Sequence, residues 1–394
     1  MLALERDLPD LRGAARERAR SELEGLRLEL EQVQDEAPLV PVNVDHRAVA
    51  GVVSAWTGIP VGRMLTDNLE AVHALRRRLG ERIVGQGAAL DSVARRIRTW
   101  FAGLGEPGKP TGVFLLVGPS GVGKTETALT LADLLFGGER SLITINMSEY
   151  QEAHSVSGLK GAPPGYVGHG KGGVLTEAVR RTPYSVVLLD EVEKAHPDVL
   201  ELFYQVFDKG VLEDSEGVAV DFKNTIILLT SNLGTDTITG LAAPQFAGQG
   251  RGALSAERIA EAIRPELVSH FKPALLGRMV VVPYLPLGEA QLLAIVRLKL
   301  ARVQARFAAS HRAELTWDEA VVGYLAARCR ATDAGARAVD HLLTNTLLPE
   351  LSAGVLDRLS DGLPIEVAHV GLDRAGGGLA YDFDLPGGRQ GTTP

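Results

Sequence analysis

At 394 residues and 45% apolar content, the chain is long enough for two or three domains with real hydrophobic cores. A net charge of −8 supplies no sequence-wide attraction to nucleic acid or anionic lipid, and Cys329, the only cysteine, excludes an intrachain disulfide and a cysteine-rich zinc site and fits a reducing compartment. The charged N-terminus has no signal-peptide core and no apolar run nears the ~18 residues that span a bilayer, so a cytoplasmic location without membrane insertion is expected.

Residues 10–36 lack proline, and Ala19, Leu23, Leu26, Leu30 and Val33 recur at alternating steps of four and three between charges. That spacing predicts a coiled-coil helix over 1–37, read as the remnant of a longer helical element. Pro38 and Pro41 end it, and a mixed connector covers 38–80. From 86 to 104, Leu90, Val93, Ile97, Phe101 and Leu104 share one helical face. Four apolar runs then alternate with helical segments: "VFLLV" (113–117), "LITIN" (142–146), "VVLLD" (186–190) and "IILLT" (226–230). Continuous apolar strands separated by helices imply an α/β domain with a parallel sheet covered on both faces, placed at 81–250. Residues 241–256 read as a surface linker. A smaller, mostly helical domain over 251–375 follows, with helices at 257–270, 288–309, 317–330 and 335–351 and the strand candidates "IEVAHV" and "LAYDFD". Cys329 reads as a buried small residue in one of those helices, and 376–394 as a partly disordered tail.

"GPSGVGKT" (118–125) follows the first strand and opens a helix. Its glycines let backbone N–H groups turn inward around phosphates, Lys124 reaches the β and γ phosphates, and the Thr125 hydroxyl ligates Mg2+. The nucleotide-binding set is therefore Gly118, Pro119, Ser120, Gly121, Val122, Gly123, Lys124, Thr125 and Glu126; the alternative is an ordinary glycine-rich turn. "VVLLDE" delivers Asp190 and Glu191 at a strand end, Asp190 for Mg2+ and Glu191 as general base for an attacking water. No Asn/Thr-Lys-x-Asp stretch reads guanine, so ATP is expected. "IILLTSN" ends in Asn232, placed either to reach the γ phosphate or the water, or simply in a Ser-Asn turn.

In this order, phosphate loop, Asp-Glu strand end and Asn-tipped strand resemble the AAA+ ATPases. The finer text, "VVSAWTGIP", "RIVGQ", "GPSGVGKTE", "GAPPGYVG", "LLDEVEKAHPDV" and "TSNLG", is similar to the second AAA+ module of the Clp/ClpB class of protein-remodelling machines over about 38–375. "ITINMSEYQEAHSVSGLKGAPPGYVG" and "LLTNTLLPEL" look most like its ClpV branch, the ATPases of type VI secretion.

The resemblance implies that Ile83 and Val84 contact adenine, although both also suit a plain core. It makes Arg278, in "FKPALLGRM", the arginine finger that reaches a neighbouring subunit's ATP, and Arg337, in "GAR", the sensor arginine of the small domain; a surface charge is the alternative for each. It implies a homohexameric ring that pulls protein through a central pore, with type VI sheath subunits as substrate. The loop "GAPPGYVGHGKGG" would line that pore and grip with Gly165, Tyr166, Val167 and Gly168, where its sequence alone reads equally as a surface loop with a locally packed tyrosine. Departures are a single phosphate loop where the class carries two, and His169 and Lys171 where disaggregase relatives often carry Tyr and Glu. No Ile-Gly-Phe/Leu tripeptide follows the sensor asparagine, so no peptidase partner is expected. The competing readings are a ClpB-like disaggregase, a nucleic-acid motor or clamp loader, disfavoured by the acidic balance, and a nucleotide-gated scaffold, disfavoured by the Glu191 and Arg278 pair.

Overall fold

The apolar runs become parallel strands, nearly all buried at 113–117, 186–190 and 226–230 because almost nothing there prefers water on either face, whereas 142–146 exposes Thr144 and Asn146. In the computed structural model, which describes residues 12–34, 49, 51–52, 68–162, 165, 172–246, 255–330, 335–373 and 377–383, they form β1 (Gly112–Val117), β2 (Leu142–Asn146) and β3 (Val186–Asp190). A short antiparallel hairpin, β4 (Val211–Glu213) and β5 (Ala219–Asp221), precedes β6 (Ile226–Ser231), the fourth run. The sheet order is β2-β3-β6-β1-β7, all parallel, with β7 (Val280–Pro283) as an edge strand.

Every residue of β1 and β6 is buried. Alternation splits β1 between two cores, Val113, Leu115 and Val117 on one face and Phe114 and Leu116 on the other. Each fully buried side chain of this size contributes about 1.5–3 kcal/mol. In such a sheet the ligand crevice lies at the carboxyl ends of the strands, and Gly118, Asp190 and Asn232 all stand there, each directly at or after the end of β1, β3 or β6.

The chain divides into two units, Met1–Thr57 and Gly58–Pro394. The first contains the helix Ala14–Gln34, in which Ala19 and Leu23 are buried. The second holds the sheet and the small helical body.

Expected boundaries move. The sheet-bearing body begins before 81, since the helix Asn68–Arg82, inside the expected connector 38–80, buries Val72, Leu75 and Leu79 in one of the sheet's cores. The sheet-bearing body does not end at 250: the helix Ala256–His270 buries Ile259, Ile263 and Leu267 in the sheet's own core, and β7 pairs with β1 from Phe114↔Val280 to Val117↔Pro283. The reason is pairing over long sequence separation, which local composition does not announce. Of the expected linker 241–256, residues up to Phe246 belong to the helix Thr235–Phe246, and 247–254 lie outside the described residues.

The small body comprises the helices Glu289–His311, Glu319–Arg330, Ala336–Leu342 and Leu348–Ser360 and a three-stranded sheet, β8 (Glu314–Trp317), β9 (Val367–Leu372) and β10 (Leu379–Asp382), around a third core. Cys329 is buried in the helix Glu319–Arg330. The expected tail from 376 thus includes a strand, β10, paired antiparallel with β9 from Leu379↔Leu372 to Asp382↔His369. The single helical face expected over 86–104 also breaks. The helix Gly87–Thr99 buries Leu90, Val93 and Ile97, then passes into a π-helical segment at Trp100–Leu104 that kinks at Gly103, φ 75°, and leaves Leu104 facing solvent. Among the described residues no helix is long and apolar enough to cross a membrane.

Candidate functional site

Glycine chemistry sets the shape of the loop between β1 and the helix Lys124–Phe136. Gly118 and Gly123 sit at φ 147° and 105°, conformations that side chains rarely adopt. A Cβ on Gly118 would lie 2.4 Å from the Tyr284 carbonyl oxygen, so only glycine lets the chain leave the sheet so close to its neighbour.

Lys124 is rooted at the first turn of the helix and buried. Its Nζ donates to the backbone oxygens of Gly118 and Pro119, the latter at 3.0 Å, and to Asn232 Oδ1 at 2.9 Å. Burial pushes its ammonium down to about 8, against the opposing pull of Glu193 and Asp190. All three direct partners are neutral. A buried cation whose hydrogen bonds go only to neutral oxygens, at a helix start facing a cavity, has the chemistry of an anion receptor.

The acidic side of the cavity comes from β3 and β6. Asp190 accepts a hydrogen bond from Thr230 Oγ1, and the same hydroxyl accepts from the Glu191 N–H at 3.1 Å. Glu191 takes the left-handed conformation, φ 57° and ψ 49°, one of two described non-glycine residues with positive φ. Such a conformation costs of order 1–3 kcal/mol and persists where its surroundings over-determine it; here it turns the side chain off the strand end. Lys194 Nζ holds Glu191 Oε2 at 2.6 Å. Asn232 is carried by Glu193, whose Oε1 accepts its N–H at 3.1 Å while Oε2 is buried without a hydrogen-bond partner among the described residues. Sequence reasoning missed Glu193, although the third acid of "DEVEK" was the available signal.

The other wall comes from the small body. Arg337 Nη1 donates to Ser120 Oγ at 3.0 Å, and the Ala336 N–H donates to the Gly121 carbonyl at 2.8 Å. Gly335, at φ 56°, touches the same loop, since a Cβ there would lie 2.9 Å from Gly121 O. Arg302 Nη2 meets Glu126 Oε1 at 3.0 Å, and Lys299 meets Asp340 at 2.8 Å, both at the cavity rim and both unforeseen from the sequence. The lining also has an apolar part, with Ile83, Val84, Leu129, Ile295 and Leu298.

The structure therefore brings together Gly121, Val122, Gly123, Lys124, Thr125, Glu126, Ser120, Ile83, Val84, Asp190, Glu191, Asn232 and Arg337 around one cavity. Gly118 and Pro119 support it from below through Lys124. It does not bring Arg278 there. That guanidinium lies against Asp208 Oδ1 at 2.6 Å and over the Tyr204 ring at 5.4 Å. Of the expected grip residues Gly165, Tyr166, Val167 and Gly168 only Gly165 is described, at φ 91°; Tyr166, Val167, Gly168, His169 and Lys171 lie outside the described residues. Gly161 and Gly172 form an antiparallel bridge.

The donor set also fits the expected metal. Among the described residues no cluster of three or more His, Cys, Asp or Glu side chains has metal-binding geometry. Mg2+ is commonly held by one or two carboxylates with waters and substrate phosphates instead of an all-protein cage, and Asp190 with Thr125 in one cavity supplies that minimal set.

Comparison with known proteins agrees with this geometry. The family described as AAA domain (Cdc48 subfamily) matches residues 109–282, and the C-terminal, D2-small domain of ClpB protein matches 287–367. The AAA+ ATPase ClpV1 of Pseudomonas aeruginosa is 54% identical over 369 residues, 93% of this chain and 40% of the relative. The chaperone protein ClpB of Yersinia enterocolitica is 50% identical over 356 residues, 90% of this chain and 39% of the relative. ClpB of Meiothermus ruber is 43% identical over 351 residues, 88% and 40%. The chain spans about 40% of the length of these curated relatives. A parallel-sheet body with a phosphate loop, followed by a ClpB-type small domain, makes this chain a member of the Clp/ClpB family of AAA+ proteins, of which it carries the C-terminal AAA+ module.

Proposed function

We propose that this module hydrolyses ATP, as one subunit of a hexameric ring that remodels protein. The observation that carries the reading is Lys124, a buried cation hydrogen-bonded to neutral oxygens, across one cavity from the Asp190 and Glu191 strand end. Bound ATP with Mg2+ supplies the phosphoanhydride to be cleaved. Lys124 and the loop N–H groups hold its phosphates, and Asp190 and Thr125 hold the metal. Glu191 takes a proton from the attacking water, Asn232 orients that water or the γ phosphate, and the apolar wall of Ile83 and Val84 receives the base. Before the reaction Glu191 must exchange Lys194 for the water, a small rearrangement for an exposed ion pair.

Arg278, remote from its own chain's cavity, is assigned to the cavity of a neighbouring subunit, where it stabilises charge developing on the phosphoryl group. Arg337 reports nucleotide to the small body through the phosphate loop. A head-to-tail contact of this kind closes into a ring when its rotation permits. Within the ring, Tyr166 and Val167, flanked by Gly165 and Gly168, would grip substrate polypeptide. The likeness to ClpV1 favours contracted type VI secretion sheaths as that substrate, in the cytoplasm, without peptidase, nucleic acid or membrane insertion. The ClpB-named relatives and the ClpB-type small domain favour a second reading, general disaggregation.

The test is incubation of the full-length parent protein with purified contracted sheaths and, separately, with heat-aggregated protein. ATP-dependent loss of tubules only in the wild type, with Tyr166→Ala retaining hydrolysis but leaving tubules intact, supports the first reading. Rescue of aggregates without sheath loss supports the second, and no hydrolysis by the wild type removes both.

A further inference from the structure

We propose that Gln86 is a positioning residue that fixes the base-facing segment and the phosphate loop to the connector entering the small body; the inference rests on the nucleotide-site reading above. Gln86 is 2% exposed, and its side chain touches three backbone groups from two distant segments. Nε2 donates to the Leu285 carbonyl at 2.8 Å and to the Val122 carbonyl at 3.2 Å, and Oε1 accepts the Leu285 N–H at 3.0 Å. Both N–H donors and the carbonyl oxygen are thereby used, which is the full set a buried amide needs.

The geometry explains why a side chain is required. β7 pairs with β1 up to Val117↔Pro283, and the Tyr284 N–H still finds the Val117 carbonyl at 2.7 Å. Past that point the phosphate loop turns away from the sheet at Gly118, so among the described residues no partner strand remains beside Leu285. The Gln86 amide pairs both polar groups of Leu285 as a strand neighbour would, replacing the missing rung. Its second N–H reaches the middle of the phosphate loop at Val122. Three residues upstream, Ile83 lines the cavity and packs against Gly123, where a Cβ would lie 3.3 Å from Ile83 Cγ2. Gly85, at φ 83°, turns the chain so that Ile83 and Gln86 serve the same loop from two sides. Base wall, phosphate loop and connector therefore meet on one neutral amide that touches neither the metal ligands nor Glu191.

Such a residue should act on nucleotide binding more than on the chemical step. In the full-length protein, Gln86→Met removes the hydrogen bonds while keeping the volume, and KM for ATP is expected to rise about tenfold with kcat within about twofold, the scale of one net hydrogen bond. Thr225→Val is the control: it deletes a buried hydroxyl bonded to the Phe222 carbonyl, far from the cavity, and lowers stability without moving KM. Should Gln86→Met not fold, Gln86→Asn keeps the amide but shortens its reach, and the same rise in KM is expected. Unchanged KM in the folded Gln86 variant, or an equal rise in Thr225→Val, overturns the inference. A wild type that neither binds nor hydrolyses ATP instead removes the functional reading beneath it.

Discussion

The two bodies that enclose the cavity build their walls from different materials. The sheet body contributes the phosphate loop's backbone and short side chains, Asp190, Glu191 and Asn232, planted at the ends of strands whose interiors are fully buried. The small body contributes mostly long side chains, Arg302, Lys299 and Arg337, together with one backbone hydrogen bond from Ala336. Strand ends in a packed sheet have little freedom, which suits groups that must meet a reacting atom. Long cations at a rim can be made and broken with little loss, which suits groups that report a change. On the proposed function, chemistry and reporting would thus be separated by the stiffness of what carries them.

The largest expected effect strikes the stiff side. Glu191→Gln should lower kcat by about 10²–10⁴ while nucleotide affinity stays near wild type, measured by steady-state hydrolysis and fluorescent-nucleotide titration. Full activity in that variant would mean another base and would dissolve the contrast.

Lys124 offers a graded test of the same side. Its ammonium titrates at about 8 in the folded protein against an ordinary value of 10.5. A phosphate chain favours the protonated form, so ATP affinity should be level below pH 8 and fall as pH rises above it, by up to about tenfold per pH unit. Lys124→Met should bind weakly at every pH and show no such slope. For folding the sign is opposite: between 8 and 10.5 the unfolded chain binds more protons than the folded one, so the cost of burying this charge diminishes as pH rises through that window.

The smallest effects belong to the rim. Arg337→Ala should weaken the response of the small body to nucleotide, seen as a lost ATP-dependent change in inter-body distance by fluorescence transfer, with hydrolysis reduced about tenfold. Arg302→Ala breaks only a half-exposed pair with Glu126 and should change KM by less than about fivefold. If Arg302→Ala matched Glu191→Gln in kcat, the division between stiff and reporting walls would fail.

Much of the sheet side was legible because its signals are local. "GPSGVGKT" carries its glycines, lysine and threonine within eight residues, and "VVLLDE" places two acids directly after the apolar run that buries their strand. Arg302 and Gln86 gave no such signal, since each has its meaning in a partner far along the chain, at Glu126 and Leu285. The same distance hid β7, whose four residues become a strand only beside β1, and carried the sheet body past the expected boundary at 250. Arg278 shows the opposite limit: the sequence placed it through resemblance, and its own chain pairs it with Asp208 instead of the cavity.

By itself, the sequence determined the α/β class, four of the five parallel strands and the glycine loop and Asp190–Glu191 pair at their strand ends, because apolar runs, glycine turns and adjacent acids act over a few residues; Asn232 it left between a site residue and a turn. Only the tertiary structure decided which cations face the cavity, where the sheet body ends, and that one buried glutamine bonds the Val122 and Leu285 backbones. Those outcomes depend on hydrogen-bond donors and acceptors finding one another after the chain has folded back, and no local pattern records which distant group will be waiting.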